Sequence, residues 1–136
     1  MDEGEQPLIL PVPLHSSRQL ERGFDQAELL ARGLVRALRR ESEWQSLRVE
    51  TRCLRRTRAT LPQSGLSLVA RRENVRGVFA VTDPKRVEDR TVVLVDDVMT
   101  TGATLSACAA SLKAAGARRV FALTVARATP EFPDML

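Results

Sequence analysis

The chain has no tyrosine, one tryptophan and four phenylalanines in 136 residues. That scarcity removes most of the ring platforms on which unpaired bases stack, and it counts against a single-stranded nucleic-acid binder of the stacking kind. The two cysteines, Cys53 and Cys108, stand far apart without a CxxC or CxxH pattern. They indicate neither a disulfide framework nor a zinc site, and both are expected to be reduced, with Cys108 a packed helix residue. His15 is the single histidine, and nothing in the sequence pairs with it as a nucleophile. No run approaches the roughly 18 apolar residues of a membrane span. The first ten residues carry Asp2, Glu3 and Glu5 instead of a basic and then apolar leader, so a cytoplasmic protein is expected, with no membrane partner. Low-complexity tracts and internal repeats are also missing.

What is present suits one α/β domain over residues 1–136, with 43% hydrophobic content for its core. The ordered part is expected over about 7–128, between ends that read as frayed. The net charge is +4, and Lys85 and Lys113 are the only lysines, so arginine carries the excess. Arginine forks match phosphate oxygens and a basic field gathers anions, although the same excess would serve a nucleic acid.

Along the chain, strands and helices alternate. Leu8–Val12 is a short branched apolar run and reads as a buried strand, with Pro11 and Pro13 at its exit. Residues 24–38 place Ala27, Leu30, Ala31, Leu34, Val35 and Leu38 on one stripe of a helix. Residues 47–54 alternate weakly and predict a strand with one wetter face. A basic mobile loop is expected over residues 55–65, then a short helix near 66–73 and a strand over 78–81. The apolar run 91–95 predicts the central strand of a parallel sheet. A helix over 103–115, capped by Gly116, and a buried strand over 120–125 complete the series. The expected fold is therefore an open, mostly parallel twisted sheet flanked by helices, with its ligand at the carboxyl ends of the strands.

The segment Thr91-Val-Val-Leu-Val-Asp96-Asp97-Val98-Met99-Thr100-Thr101-Gly102-Ala103-Thr104-Leu105 carries the chemistry. A buried strand delivers two carboxylates, a Thr/Gly turn follows, and a helix begins. Helix-start N–H groups and three threonine hydroxyls make a phosphate cradle that Gly102 lets a ligand approach closely. Carboxylates beside a phosphate would repel it, but they accept from the two vicinal hydroxyls of a ribose whose 5′-phosphate reaches the helix start. Mg²⁺ on a diphosphate would offset the charge and touch Asp96 and Asp97 through water or ligand oxygens. No Gly-Lys-Ser/Thr follows the glycine, so a Walker A loop is excluded.

This run resembles the phosphoribosyl pyrophosphate (PRPP) motif of type I phosphoribosyltransferases. The resemblance assigns the ribose and 5′-phosphate to Asp96, Asp97, Val98, Met99, Thr100, Thr101, Gly102, Ala103 and Thr104. The pieces Pro11-Val-Pro-Leu-His15, Arg22-Gly-Phe-Asp-Gln26, Leu61-Pro-Gln63, Arg72-Glu-Asn74 and Gly77-Val-Phe79 are similar to the ComF family of competence-associated phosphoribosyltransferase-like proteins. The resemblance implies the type I phosphoribosyltransferase fold, Mg²⁺-PRPP as ligand and an association with DNA uptake. Family members usually carry an N-terminal zinc-binding segment, which this sequence lacks, so no zinc is expected. They also commonly have Asn where Asp25 stands.

The weaker site residues follow. By the same resemblance His15, Arg18 and Arg22 would lie where the family fold holds pyrophosphate, Arg22 either the foremost anion contact or a solvated surface arginine, and His15 either a loop-fixing residue or a phosphate contact. Arg55, Arg56 and Arg58 would lie on a loop closing over the diphosphate, with solvated surface arginines as the alternative. Gln63 and Asn74 suit a ligand contact or local turn bonding. The expected activity is transfer of a 5-phosphoribosyl group to a nitrogen acceptor, a nucleobase by resemblance, with Asp96 and Asp97 catalytic. Thr100 stands where purine-salvage relatives have an acid, which argues against hypoxanthine and guanine. The alternatives are a PRPP-sensing accessory that joins DNA-uptake or recombination proteins, and direct DNA binding through the arginines.

Overall fold

The computed structural model describes residues 4–13, 25–57, 67, 69, 77–99 and 102–127. Strand β1 (Leu8–Pro11) and strand β4 (Thr91–Met99) run parallel, with Leu8 beside Val92 and Pro11 beside Val95. Strand β5 (Arg119–Arg127) lies parallel on the other side of β4, with Val93 beside Phe121 and Asp96 beside Thr124. The sheet order is β1-β4-β5, so β4 is the inner strand, as its unbroken apolar run predicts.

Because side chains alternate along a strand, β4 serves two cores at once. Val92 and Leu94 join Leu10 and meet Leu105, Cys108 and Leu112 of helix α3 (Ala103–Ala114). Val95, with Val93 partly buried, joins Ile9 and Leu47 against Ala31 and Val35 of helix α1 (Gln26–Leu38). Helix α1 starts at Asp25, whose Oδ1 accepts from the Glu28 backbone N–H at 3.2 Å. A carboxylate fills that capping role as well as an amide does, so Asp25 suits the helix start. Helix α3 ends as expected, with Gly116 at φ 101 and the Ala117 N–H donating back to the Leu112 carbonyl at 3.0 Å.

Between these layers the sequence expectations need correction. Residues 47–54 do not form a strand. Val49 makes one parallel bridge to Ile9, and the Arg52 N–H is taken by Glu50 Oε1 at 3.0 Å, a local bond that turns the chain out of any ladder. The regular strand is β2 (Leu54–Arg56), antiparallel to β3 (Phe79–Val81). Arg55 and Arg56 therefore stand on a strand and not on a mobile loop. Helix α2 (Pro84–Val87) is a single turn, too short to leave a period, which opens on a proline and buries Val87.

Strand β5 is where periodicity misleads most. Its apolar run predicts burial, yet Phe121, Leu123 and Val125 are exposed, because among the described residues β5 is the sheet's edge and α1 lies over β1 and β4. Of the helix expected near 66–73 only positions 67 and 69 are described, with Val69 helical. Among the described residues no helix is long and apolar enough to cross a membrane.

Candidate functional site

Strands β4 and β5 end side by side at Met99 and Arg127, beyond Pro11, where β1 stops beside Val95, and the carboxyl end of an inner strand is where ligands of open α/β sheets bind. Asp96 and Asp97 stand there. Each fixes its carboxylate to the backbone that follows it: Asp96 Oδ1 accepts from Asp97 N–H at 2.9 Å, and Asp97 Oδ1 from Val98 N–H at 2.8 Å. Both acids are half-buried at the rim, neither lost in the core nor fully solvated.

Burial pushes the Asp96 carboxyl up to about 7; the Asp97 side chain adds to the rise, while the Asp97 backbone N–H and the charge of Arg56 oppose it. Arg56, at the end of β2, is buried and its guanidinium sits 5.0 Å from the centre of the Phe79 ring. Its charge acts on both Asp96 and the buried Cys108 thiol of α3, which sets a cation within electrostatic reach of Asp96. The strand pair that carries Arg56 is held to α3, where Ser111 Oγ donates to the Phe79 carbonyl at 2.9 Å. It is also closed at its base, where Thr57 N–H and Oγ1 both donate to the Val78 carbonyl at 2.6 and 2.7 Å.

Gly102 adopts the left-handed conformation, φ 79, immediately before α3, and its carbonyl accepts from Ser106 N–H at 2.8 Å. Only glycine takes that backbone conformation without strain, and it leaves no capping side chain over the positive end of the helix. There is also no acid in the first turn of α3 to compete with an anion. Ala103 is buried there and Thr104 half-buried, while Val98 is exposed beyond the aspartates. Met99 ends β4 opposite Arg127.

The structure thus brings Asp96, Asp97, Gly102 and the start of α3 to one end of the sheet, with Arg56 within electrostatic reach of Asp96. Arg55 is exposed on the same short strand. His15, Arg18, Arg22, Arg58, Gln63, Asn74, Thr100 and Thr101 lie outside the described residues. Sequence reasoning missed Phe79 as the surface beneath Arg56, since the contact exists only once β2 and β3 pair. Among the described residues no group of three or more His, Cys, Asp or Glu side chains could hold a metal. Two carboxylates at the rim still fit Mg²⁺, which keeps water and ligand oxygens in its shell.

Comparison with known proteins gives the class of this arrangement. The phosphoribosyl transferase domain matches residues 22–134, and the chain belongs to that family. Its parallel sheet with flanking helices is the α/β architecture expected of the type I phosphoribosyltransferase fold. Within it the chain is similar to the ComF proteins. Competence protein F of Haemophilus influenzae is 36% identical over 121 residues, 88% of this chain and 50% of that protein. The DNA utilization protein YhgH of Shigella flexneri is 38% identical over 112 residues, and that of Salmonella typhi 36%; each match covers 82% of this chain and 45% of the relative. The chain spans about half the length of these relatives.

Proposed function

We propose that the chain binds PRPP with Mg²⁺ at the carboxyl end of β4 and transfers its 5-phosphoribosyl group to a nitrogen acceptor. The observation that carries this reading is the fixed acid pair Asp96–Asp97 on the inner strand, a few residues ahead of the left-handed Gly102 and the α3 N-terminus. The carboxylates accept from the ribose hydroxyls and the helix start receives the 5′-phosphate. Arg56 supplies fixed positive charge for the diphosphate, and Arg22, Arg18, His15, Arg55 and Arg58 are its proposed companions. Bound Mg²⁺, held through water and ligand oxygens near Asp96 and Asp97, would neutralise part of the diphosphate charge.

In the transfer the acceptor nitrogen's lone pair forms the new bond to the ribose anomeric carbon. The bond from that carbon to the diphosphate oxygen breaks, and pyrophosphate leaves with the electron pair. The acceptor's surplus proton passes to solvent. Asp96 and Asp97 hold the sugar in line and face the positive charge that develops on it. The acceptor class is a nucleobase, and Thr100 turns the proposal away from hypoxanthine and guanine.

Calorimetric titration with Mg²⁺-PRPP tests the reading. The wild type should bind, and the double variant Asp96→Asn/Asp97→Asn should lose at least about a hundredfold in affinity, the scale of two hydrogen bonds to charged groups. A wild type that does not bind ends the proposal. The names of the relatives, competence and DNA utilization, favour a second reading: a PRPP-sensing accessory of a DNA-uptake or recombination apparatus in the cytoplasm. Binding without pyrophosphate release in the presence of any base would select it. Direct DNA binding would instead show as affinity that falls steeply with added salt.

A further inference from the structure

Strand β5 is the feature that the proposed site leaves unexplained. It is nine residues long, and among the described residues no strand pairs with its outer edge. Phe121 is 53% exposed, Leu123 47% and Val125 71%, all on the face that α1 covers only over β1 and β4. Ala122 and Ala126, on the opposite face, are exposed as well. A long flat edge with apolar side chains in water is what a lone chain blunts with charge, proline or a bulge. Here the stretch from Val120 to Ala126 contains no charged residue, glycine or proline.

We propose that β5 is the interface between two copies of this chain, paired antiparallel about a twofold axis near Leu123 into one continuous six-stranded sheet. The strand is self-complementary in that arrangement. Leu123 meets Leu123 of the mate, and Phe121 falls opposite Val125 in both directions, an aromatic with a β-branched partner on one face. The pairing also gives the edge N–H and C=O groups their ladder bonds. At about 3.3 Å per residue the edge is about 30 Å long, and covering it with side chains on both faces removes on the order of 1,000 Å² over the two copies, the lower bound for a specific interface. Position 119 lies opposite position 127 of the mate, and both are arginine, so added salt should tighten the dimer.

Sedimentation equilibrium of the full chain over a concentration series tests this. A dimer is expected, which Leu123→Lys should weaken by at least about a hundredfold by placing two like charges at the twofold axis. Leu29→Lys, at a residue that is 58% exposed but on α1, should leave the dimer unchanged. Under mild oxidation Leu123→Cys should crosslink two copies, since Cys53 and Cys108 are buried. A monodisperse wild-type monomer overturns the proposal and gives the strand to a foreign chain, or, if the thiol introduced by Leu123→Cys is shielded from reagent, to another segment of the same polypeptide. Open-ended aggregation, or a dimer indifferent to Leu123→Lys, overturns it equally.

Discussion

At Asp96 the needs of the proposed ligand and the needs of the fold oppose each other. Its carboxyl is raised chiefly by burial, to about 7 from an ordinary 3.8, so the folded chain holds this proton more tightly than the unfolded chain does. Stability from the protonated acid is therefore fully present below about pH 4 and is lost as pH rises through about 7. Asp96→Asn removes the buried charge but keeps the shape. In the absence of ligand it should stabilise the protein at pH 8 by about 1–3 kcal/mol and have little effect at pH 4, as thermal unfolding at the two pH values would show. An equal effect at both would mean that the carboxylate is not strained by its surroundings. The same substitution should cost PRPP affinity, so stability and binding would move in opposite directions.

Helix α1 opens on a side-chain cap. Asp25 accepts the Glu28 N–H, so Asp25→Ala should lower the free energy of unfolding by about 1 kcal/mol, whereas Asp25→Asn should fall within a few tenths; urea denaturation of the two variants decides this. Elements like α1, whose stripe Ala27, Ala31 and Val35 is buried as its 3.6-residue period requires, were legible from the residues alone. So were β4, with acids at its end, and α3 behind Gly102, because a two-faced apolar strand, a left-handed glycine and a helix start each leave a local mark. Arg56 and β5 were not legible. A basic residue beside other arginines looks the same on a loop or a strand until Phe79 pairs across from it. An apolar run looks the same at the centre of a sheet or at its edge until the neighbouring strands are counted.

For the molecule as a whole, charge decides how a ligand arrives more than how it stays. With a net charge of +4 borne mostly by arginine, association of the proposed polyanionic ligand should slow several-fold between low and high salt while dissociation changes little, a split readable by stopped-flow binding. Salt that acts mainly on dissociation would place the charges inside the bound complex and not in the approach field.

One consequence follows from the guanidinium seated on Phe79. Arg56 keeps its proton at any pH a cell reaches, while the acid within its electrostatic reach titrates near neutrality. The two side chains therefore respond unequally to acidity: one is a constant and the other a dial. As the surroundings turn acid this end of the sheet loses negative charge while its cation stays, which would weaken the proposed hold on hydroxyls and favour anions.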